Sequence, residues 1–269
     1  MIGSRIGSKS AFLGSRVGSS ADDEDGGAIV VTRDATSLIY LPANISEWGQ
    51  FISANSLTGF TTANILATWN FNEASGNPQD AINAFHLTAA GATLTYQSAV
   101  AGWTKKGLNT NAGTSTLKNI DAGLPPANTA DTTLVIFSTV SVPGATKGVC
   151  AVGTPTNAQF QVDVTPKVLV ADGANGASGA NNFSGAVRPW LISHKSTSTT
   201  EAVYCTDQEK LVPVYSSLVT GKQIQIMGTP SGINTPVQTV LYGYLFNVCL
   251  TDAQKKSLLQ AHGWTIPWT

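Results

Sequence analysis

Charge is scarce in this chain. Of 269 residues only 12% are Asp, Glu, Lys or Arg, about half the ordinary share, and the formal net charge is -1. A near-neutral chain presents no broad basic surface, so nucleic acid is not expected as a partner. Cysteine is sparse too. Cys150, Cys205 and Cys249 lie far apart, in the apolar runs GVCAVG, AVYCTD and FNVCLT. An odd count with no CxxC spacing argues against a zinc centre or a disulfide framework, and predicts three buried thiols in a protein made in a reducing cytoplasm. No stretch approaches 18 uninterrupted apolar residues, so no membrane-spanning helix is expected. Local catalytic signatures are also missing: there is no HExxH, no Gly-x-Ser-x-Gly and no Walker-type loop, and His86, His194 and His262 stand isolated. Low charge with abundant Gly, Ala, Ser, Thr and Asn suits a β-rich protein that functions inside an assembly.

What is present starts at the N-terminus. The run Ile2-Gly3-Ser4-Arg5-Ile6-Gly7-Ser8 returns as Leu13-Gly14-Ser15-Arg16-Val17-Gly18-Ser19. A segment this rich in Gly and Ser does not fold alone, because glycine loses the most backbone entropy on ordering. Evenly placed Ile, Leu, Phe and Arg are nevertheless wasted on a mere tail. Residues 1–27 therefore read as an extended anchoring arm that takes its shape from another molecule. Fully extended, some twenty residues reach roughly 65 Å. Its basic half (Arg5, Lys9, Arg16) is followed by the acidic hinge Asp22-Asp23-Glu24-Asp25.

Residues 28–64 read as a connector. Two short strands are expected in 28–41, then a helix over SEWGQFISANSL with Ser46 as N-cap and Trp48, Phe51, Ile52 and Leu57 near one face. From residue 65 onward strand follows strand. The reading places strands at 65–71, 85–88, 92–97, 115–120, 133–142, 147–153, 158–164, 167–171, 186–193, 201–205, 211–215, 222–228 and 238–249. The period-two alternation is clear in FQVDV and QIQIM. Turn chemistry falls between them, at Ser75-Gly76-Asn77-Pro78, Pro143-Gly144 and Thr229-Pro230-Ser231-Gly232. The low-complexity stretch 172–185 reads as an exposed loop. One helix is expected near the end: Thr251 caps it, Gly263 ends it, and Ala253, Leu258, Leu259 and His262 face the body, with Trp264 and Trp268 over an edge.

These motifs carry a resemblance. Trp69, Phe71, Glu73, Ser75-Gly76, Asp80-Ala81 and Leu87-Thr88 resemble the opening strand and loop of laminin-G-like, concanavalin-A-like jelly rolls. YGYLFNVCLTDAQKKSLLQAHGW (242–264) is similar to the closing strand and short helix of that family, and WLISHKSTSTTEAVYCTDQEKLVP (190–213) to one of its hairpins. The resemblance implies an all-β jelly-roll sandwich over 65–269, with an extended arm before it and a short C-terminal helix. Joined to the repeated Gly-Ser-Arg arm, to Trp48 in the connector and to YQSAVAGWTKKGL (96–108), it further resembles structural proteins of tailed bacteriophages. That likeness implies a non-enzymatic virion component: a capsid decoration protein, head fibre or tail appendage, assembled in the host cytoplasm. The implied partners are the major capsid protein or another scaffold protein, and further copies of the chain, a trimer among the options.

On that reading Ile2, Ile6, Phe12, Leu13 and Val17 enter pockets or extend a sheet edge on the scaffold, and Arg5 and Arg16 make charge-assisted hydrogen bonds there. The rival reading is a lectin for host-surface glycan, with Trp103 and Trp190 as platforms beside Asn175 and Asn181; against it, both tryptophans lie in or beside strands and suit the core. A glycanase needs two carboxylates at fixed separation. The nearest approach to such a pair is Asp207 with Glu209, which reads as a solvated hairpin turn. For Ca²⁺, the possible donors are Asp80, Asp121, Asp172, Asn175 and Asn181, without a dense acidic loop to collect them.

Overall fold

The computed structural model describes residues 41–90, 95–97, 106–109, 116–119, 130–140, 146–153, 158–163, 167–171, 176–182, 185, 187–198, 202–213, 224–227 and 238–269. The arm lies outside these, as does all but Leu41 of the stretch 28–41 in which two strands are expected. All strand pairs are antiparallel. The first sheet is built from β1 (Ile65–Trp69), β3 (Thr95–Gln97), β4 (Gly107–Asn109), β6 (Thr132–Val140), β11 (Val187–His194), β12 (Ala202–Cys205), β13 (Lys210–Leu211) and β15 (Gln238–Phe246), in the order β13-β12-β11-β6-β15-β4-β3, with β1 also on β15. The second holds β2 (Thr88–Ala90), β5 (Thr116–Asn119), β7 (Lys147–Val152), β8 (Ala158–Val162), β9 (Lys167–Ala171), β10 (Gly176–Asn182) and β14 (Ile224–Ile226), in the order β10-β9-β8-β7-β14-β5-β2. Runs of sequence neighbours pair within one sheet, β7 to β10 in the second and β11 to β13 in the first, and the chain crosses between the sheets from β6 to β7, from β10 to β11, and on either side of β14. The all-β, concanavalin-A-like sandwich expected from the sequence is the fold of this chain.

Strand periodicity sorts the side chains. On β6, Leu134 and Ile136 face the main core, which they share with Phe160 and Val168 of the second sheet and with Trp190 of β11. Val135 and Phe137 face the other way, into a second apolar cluster. A bulge in β15 between Val240 and Tyr242 adds one residue and puts Tyr242, Tyr244 and Phe246 on that outer face. The first sheet is therefore apolar on both sides, which is why TLVIFSTV and VLYGYLF read as continuous apolar runs.

Two helices cover the outer face. Helix α1 (Ile45–Ala54) buries Trp48 and Phe51. Its N-cap is Asn44, whose side chain accepts from the Glu47 amide at 2.9 Å, so the expected cap at Ser46 is corrected. Asn44 wins because Glu47 reaches back to the Ala43 amide at 2.8 Å, completing a reciprocal cap two residues earlier. Helix α2 (Asp252–Ala261) has the cap read from the sequence: Thr251 accepts from the Gln254 amide, and Gln254 returns to the Thr251 amide at 2.9 Å. Gly263, at φ +86, follows the helix end in a conformation that favours glycine. Leu258, Leu259 and His262 are buried as expected, but Ala253 is exposed and Lys255 is buried instead. Lys255 is tolerated there because its ammonium reaches Asp252 at 2.8 Å. No helix among the described residues is long and apolar enough to cross a membrane.

One expectation about the second sheet fails. Within 172–185, read as loop, residues Gly176–Asn182 form β10, paired to β9 from Gly176↔Ala171 onward. An edge strand is held by main-chain hydrogen bonds, and a Gly/Ala/Ser/Asn composition does not prevent these. The thiols behave largely as expected. Cys150 and Cys205 are buried, and burial pushes both up, Cys205 to about 12; Cys249 is only partly buried.

Candidate functional site

The side chains singled out in the sequence fall in three places. The seven arm residues, Ile2, Arg5, Ile6, Phe12, Leu13, Arg16 and Val17, lie outside the described residues, as do Trp103, Asn175, Asp121 and Asp172. Asp80 sits in the loop after β1. Asn181, Asp207 and Glu209 lie on one side of the sandwich, where among the described residues β10 and β13 end their respective sheets and touch, and Trp190 lies on β11 in the main core.

Trp190 is not an exposed platform. It is fully buried on β11, edge-on to Phe160 with ring centroids 5.6 Å apart. The strand period decides this: Trp190 shares its face with Ile192, and that face looks into the core.

The Asp80 loop is an internal anchor. Its Oδ1 accepts from the amides of Thr68 (2.8 Å) and Ile82 (3.0 Å), and its Oδ2 from those of Asn83 (2.9 Å) and Phe85 (3.0 Å). Four amide donors on one carboxylate tie the opening loop to β1 and leave the group committed within its own chain. His86 is part of the same knot, its Nδ1 accepting from the Asp80 amide at 3.0 Å. Among the described residues no three His, Cys, Asp or Glu side chains gather as a metal site would need.

The run Thr206–Lys210 is where the structure departs furthest from the reading. It is no solvated turn. Asp207 is 8% exposed and bridges to Arg188 Nη1 at 2.5 Å. Burial raises the Asp207 carboxyl above its ordinary value, against the pull of the Arg188 charge. Gln208, with its amide oxygen turned to the guanidinium, accepts from Arg188 Nη1 at 2.8 Å and Nη2 at 3.1 Å. Glu209 points across to the other sheet. Its Oε2 accepts from the Ala180 amide at 2.9 Å, from Asn181 Nδ2 at 3.1 Å and from the Asn181 amide at 3.4 Å. The candidate glycan residue Asn181 is thereby committed to a carboxylate of its own chain. Each of the two carboxylates keeps one buried oxygen, Asp207 Oδ1 and Glu209 Oε1, that has no hydrogen-bond partner among the described residues.

Arg188, Gln208 and Gly179 were not singled out from the sequence. A basic residue preceding Pro189-Trp190 on a strand, facing the TDQEK run of the next hairpin, was the available signal for Arg188. Gly179 gave none, since its role is to have no side chain.

No family model matches the chain, and no curated protein matches it. Among solved structures it is similar to Trypanosoma rangeli sialidase in complex with the inhibitor DANA, at 15% identity and a TM-score of 0.55, over 72% of this chain and 32% of that one. The same sialidase in complex with sialic acid matches at 15% identity and 0.55, over 73% and 32%. The binding domain of botulinum neurotoxin DC in complex with SialylT matches at 6% identity and 0.51, over 74% and 51%. This chain thus spans about a third of the sialidase and half of the toxin domain. At these identities the likeness establishes a shared β-sandwich fold of the lectin-like kind.

The expectation of a non-enzymatic protein is corrected by these neighbours. The sandwich matches part of the chain of an enzyme, so the fold supplies no ground for setting enzymes aside.

Proposed function

We propose that this chain is a structural protein of a bacteriophage particle, a capsid decoration or head-fibre protein held to the particle by its N-terminal arm. The observation that carries this reading is the repeated aliphatic-Gly-Ser-Arg-aliphatic-Gly-Ser element ahead of the sandwich. The connector that follows the arm is packed on the body where it is described. Leu41 is buried in the outer cluster, and the Tyr242 hydroxyl donates to the Pro42 carbonyl. Both repeats precede this segment in the chain. In this reading Ile2, Ile6, Phe12, Leu13 and Val17 supply apolar contacts and Arg5 and Arg16 charged ones, on the major capsid protein or an equivalent scaffold. Ordering the arm costs about 1–2 kcal/mol per residue, so its contacts must be numerous, and symmetry-related copies of the chain would share them. Deleting residues 1–20 is expected to abolish incorporation into particles and to leave the denaturation midpoint of the body unchanged. Normal occupancy of particles by the truncated chain would defeat the reading.

A second reading, recognition of a host-surface glycan by a tail appendage, is favoured by the fold neighbours: the sialidase binds sialic acid and the toxin domain SialylT. The full chain on a glycan array is expected under this reading to give binding that free sugar competes away. Indifference to every sugar would remove it.

A further inference from the structure

We infer that Glu209 is a clasp that caps the free edge of β10 and keeps this edge from pairing with a second copy of the chain. The inference concerns the body alone and stands whatever the arm binds.

Among the described residues β10 is the last strand of its sheet, and an edge strand offers unpaired amides and carbonyls to any other chain. The usual protections on the strand itself are charge and proline. Gly176–Asn182, reading GASGANN, has neither. Its protection comes from the other sheet. Between Ser178↔Leu169 and Asn182↔Lys167 the register slips, so that Gly179, Ala180 and Asn181 stand opposite Val168 alone. This bulge withdraws the Ala180 and Asn181 amides from a regular ladder, and Glu209 takes both with one oxygen. The approach requires glycine at 179: a Cβ there would lie 1.9 Å from Glu209 Oε1 and 2.6 Å from its Cδ. The carboxylate is also held from behind. Thr206 Oγ1 accepts from the Gln208 and Glu209 amides at 3.2 Å each, the Thr206 amide donates to the Glu209 carbonyl at 2.9 Å, and Trp268 Nε1 donates to the Thr206 carbonyl at 2.9 Å. A preset carboxylate, a bulge and a glycine that admits it form one device.

The strand's own chemistry indicates what the clasp excludes. Gly, Ala, Ser and Asn offer no like-charge repulsion and little bulk to a second β10 laid antiparallel across a two-fold axis, which is the simplest closed arrangement of two identical edges. The test uses the full chain. Glu209→Ala and, independently, Gly179→Ala are expected to self-associate at about tenfold lower concentration than the unaltered chain in sedimentation experiments. In dilute solution the Ala180 and Asn181 amides of both variants are expected to exchange hydrogen faster. Association and exchange that match the unaltered chain in both variants would overturn the clasp. Should neither variant fold, Glu209→Gln decides. It keeps an acceptor oxygen but loses the charge: several-fold faster exchange at Ala180 and Asn181 supports the clasp, and unchanged exchange overturns it.

Discussion

Trp48→Ala is expected to destabilise the protein by about 3–5 kcal/mol, the range for emptying a large aromatic site in a core. The indole is fully buried on α1, outside the sandwich proper. It meets Phe51, Tyr244 and Phe246 edge-on, with centroids 5.6, 5.1 and 5.7 Å away. Edge-to-face pairs add to what area burial supplies. The indole Nε1 also donates to Thr68 Oγ1 at 3.0 Å, and Thr68 is itself buried, so truncation leaves a hydroxyl short of its donor. Trp48→Phe keeps most of the apolar contact and should lose about 1–2 kcal/mol, chiefly the hydrogen bond and one ring of packing. Urea denaturation of the two variants beside the parent measures both numbers. A loss below about 1 kcal/mol for Trp48→Ala would mean that α1 rests on the sandwich without stabilising it. The predicted size follows from the outer face of the first sheet: Tyr242, Tyr244 and Phe246 would otherwise face water.

The same cluster shows what a sequence carries and what it hides. Largely apolar runs gave β6, β9 and β15 nearly at their observed limits, because each run lies within one strand. Helix α2 was legible from Thr251 as its N-cap and a glycine after its end. β10 was not, since its pairing is entirely main-chain and its side chains look like those of a linker. β4 was missed for a related reason. Among the described residues it is the short run Gly107–Asn109, and Gly107 is there for want of space: a Cβ would lie 2.7 Å from both Leu241 Cδ2 and Thr239 Cγ2. The polar side was misread through its charges. TDQEK has the composition of a solvated turn, and only the partner strand, with Arg188, and the opposite sheet, with Gly179, turn it into a buried network. Trp190 illustrates the reverse case. Its two readings, core and platform, were decided by which face of β11 it occupies, a parity the sequence leaves open until the register is known.

His194 leads to a second large effect, this one dependent on pH. It ends β11 on the face that looks into the sandwich, opposite Thr132. Both ring nitrogens are buried without a hydrogen-bond partner among the described residues, and so is Thr132 Oγ1. Burial therefore penalises the imidazolium and lowers the His194 pKa from 6.5 to about 4, while the nearby Asp131 charge pulls weakly the other way. Asp131 cannot simply rescue the cation, because its Oδ1 already accepts from the Ser196 amide and hydroxyl, at 2.9 Å each. In the unfolded chain the ring takes up its proton near pH 6.5; in the folded chain it waits until about pH 4. Between these values the unfolded state holds more protons, so stability falls as the pH falls. The contribution is complete above about pH 6.5, drains away through the window, and is spent below about pH 4, for a loss of up to about 3 kcal/mol. His194→Leu, close in volume and without a proton to gain, should remove that part of the slope. Urea midpoints for parent and variant at pH 7, 5.5 and 4 compare the two chains on equal terms, since every other residue is the same in both. The variant's advantage is expected to widen steadily toward acid. Parallel profiles would place the ring in contact with water in solution, because only a desolvated imidazole resists protonation over so wide a range.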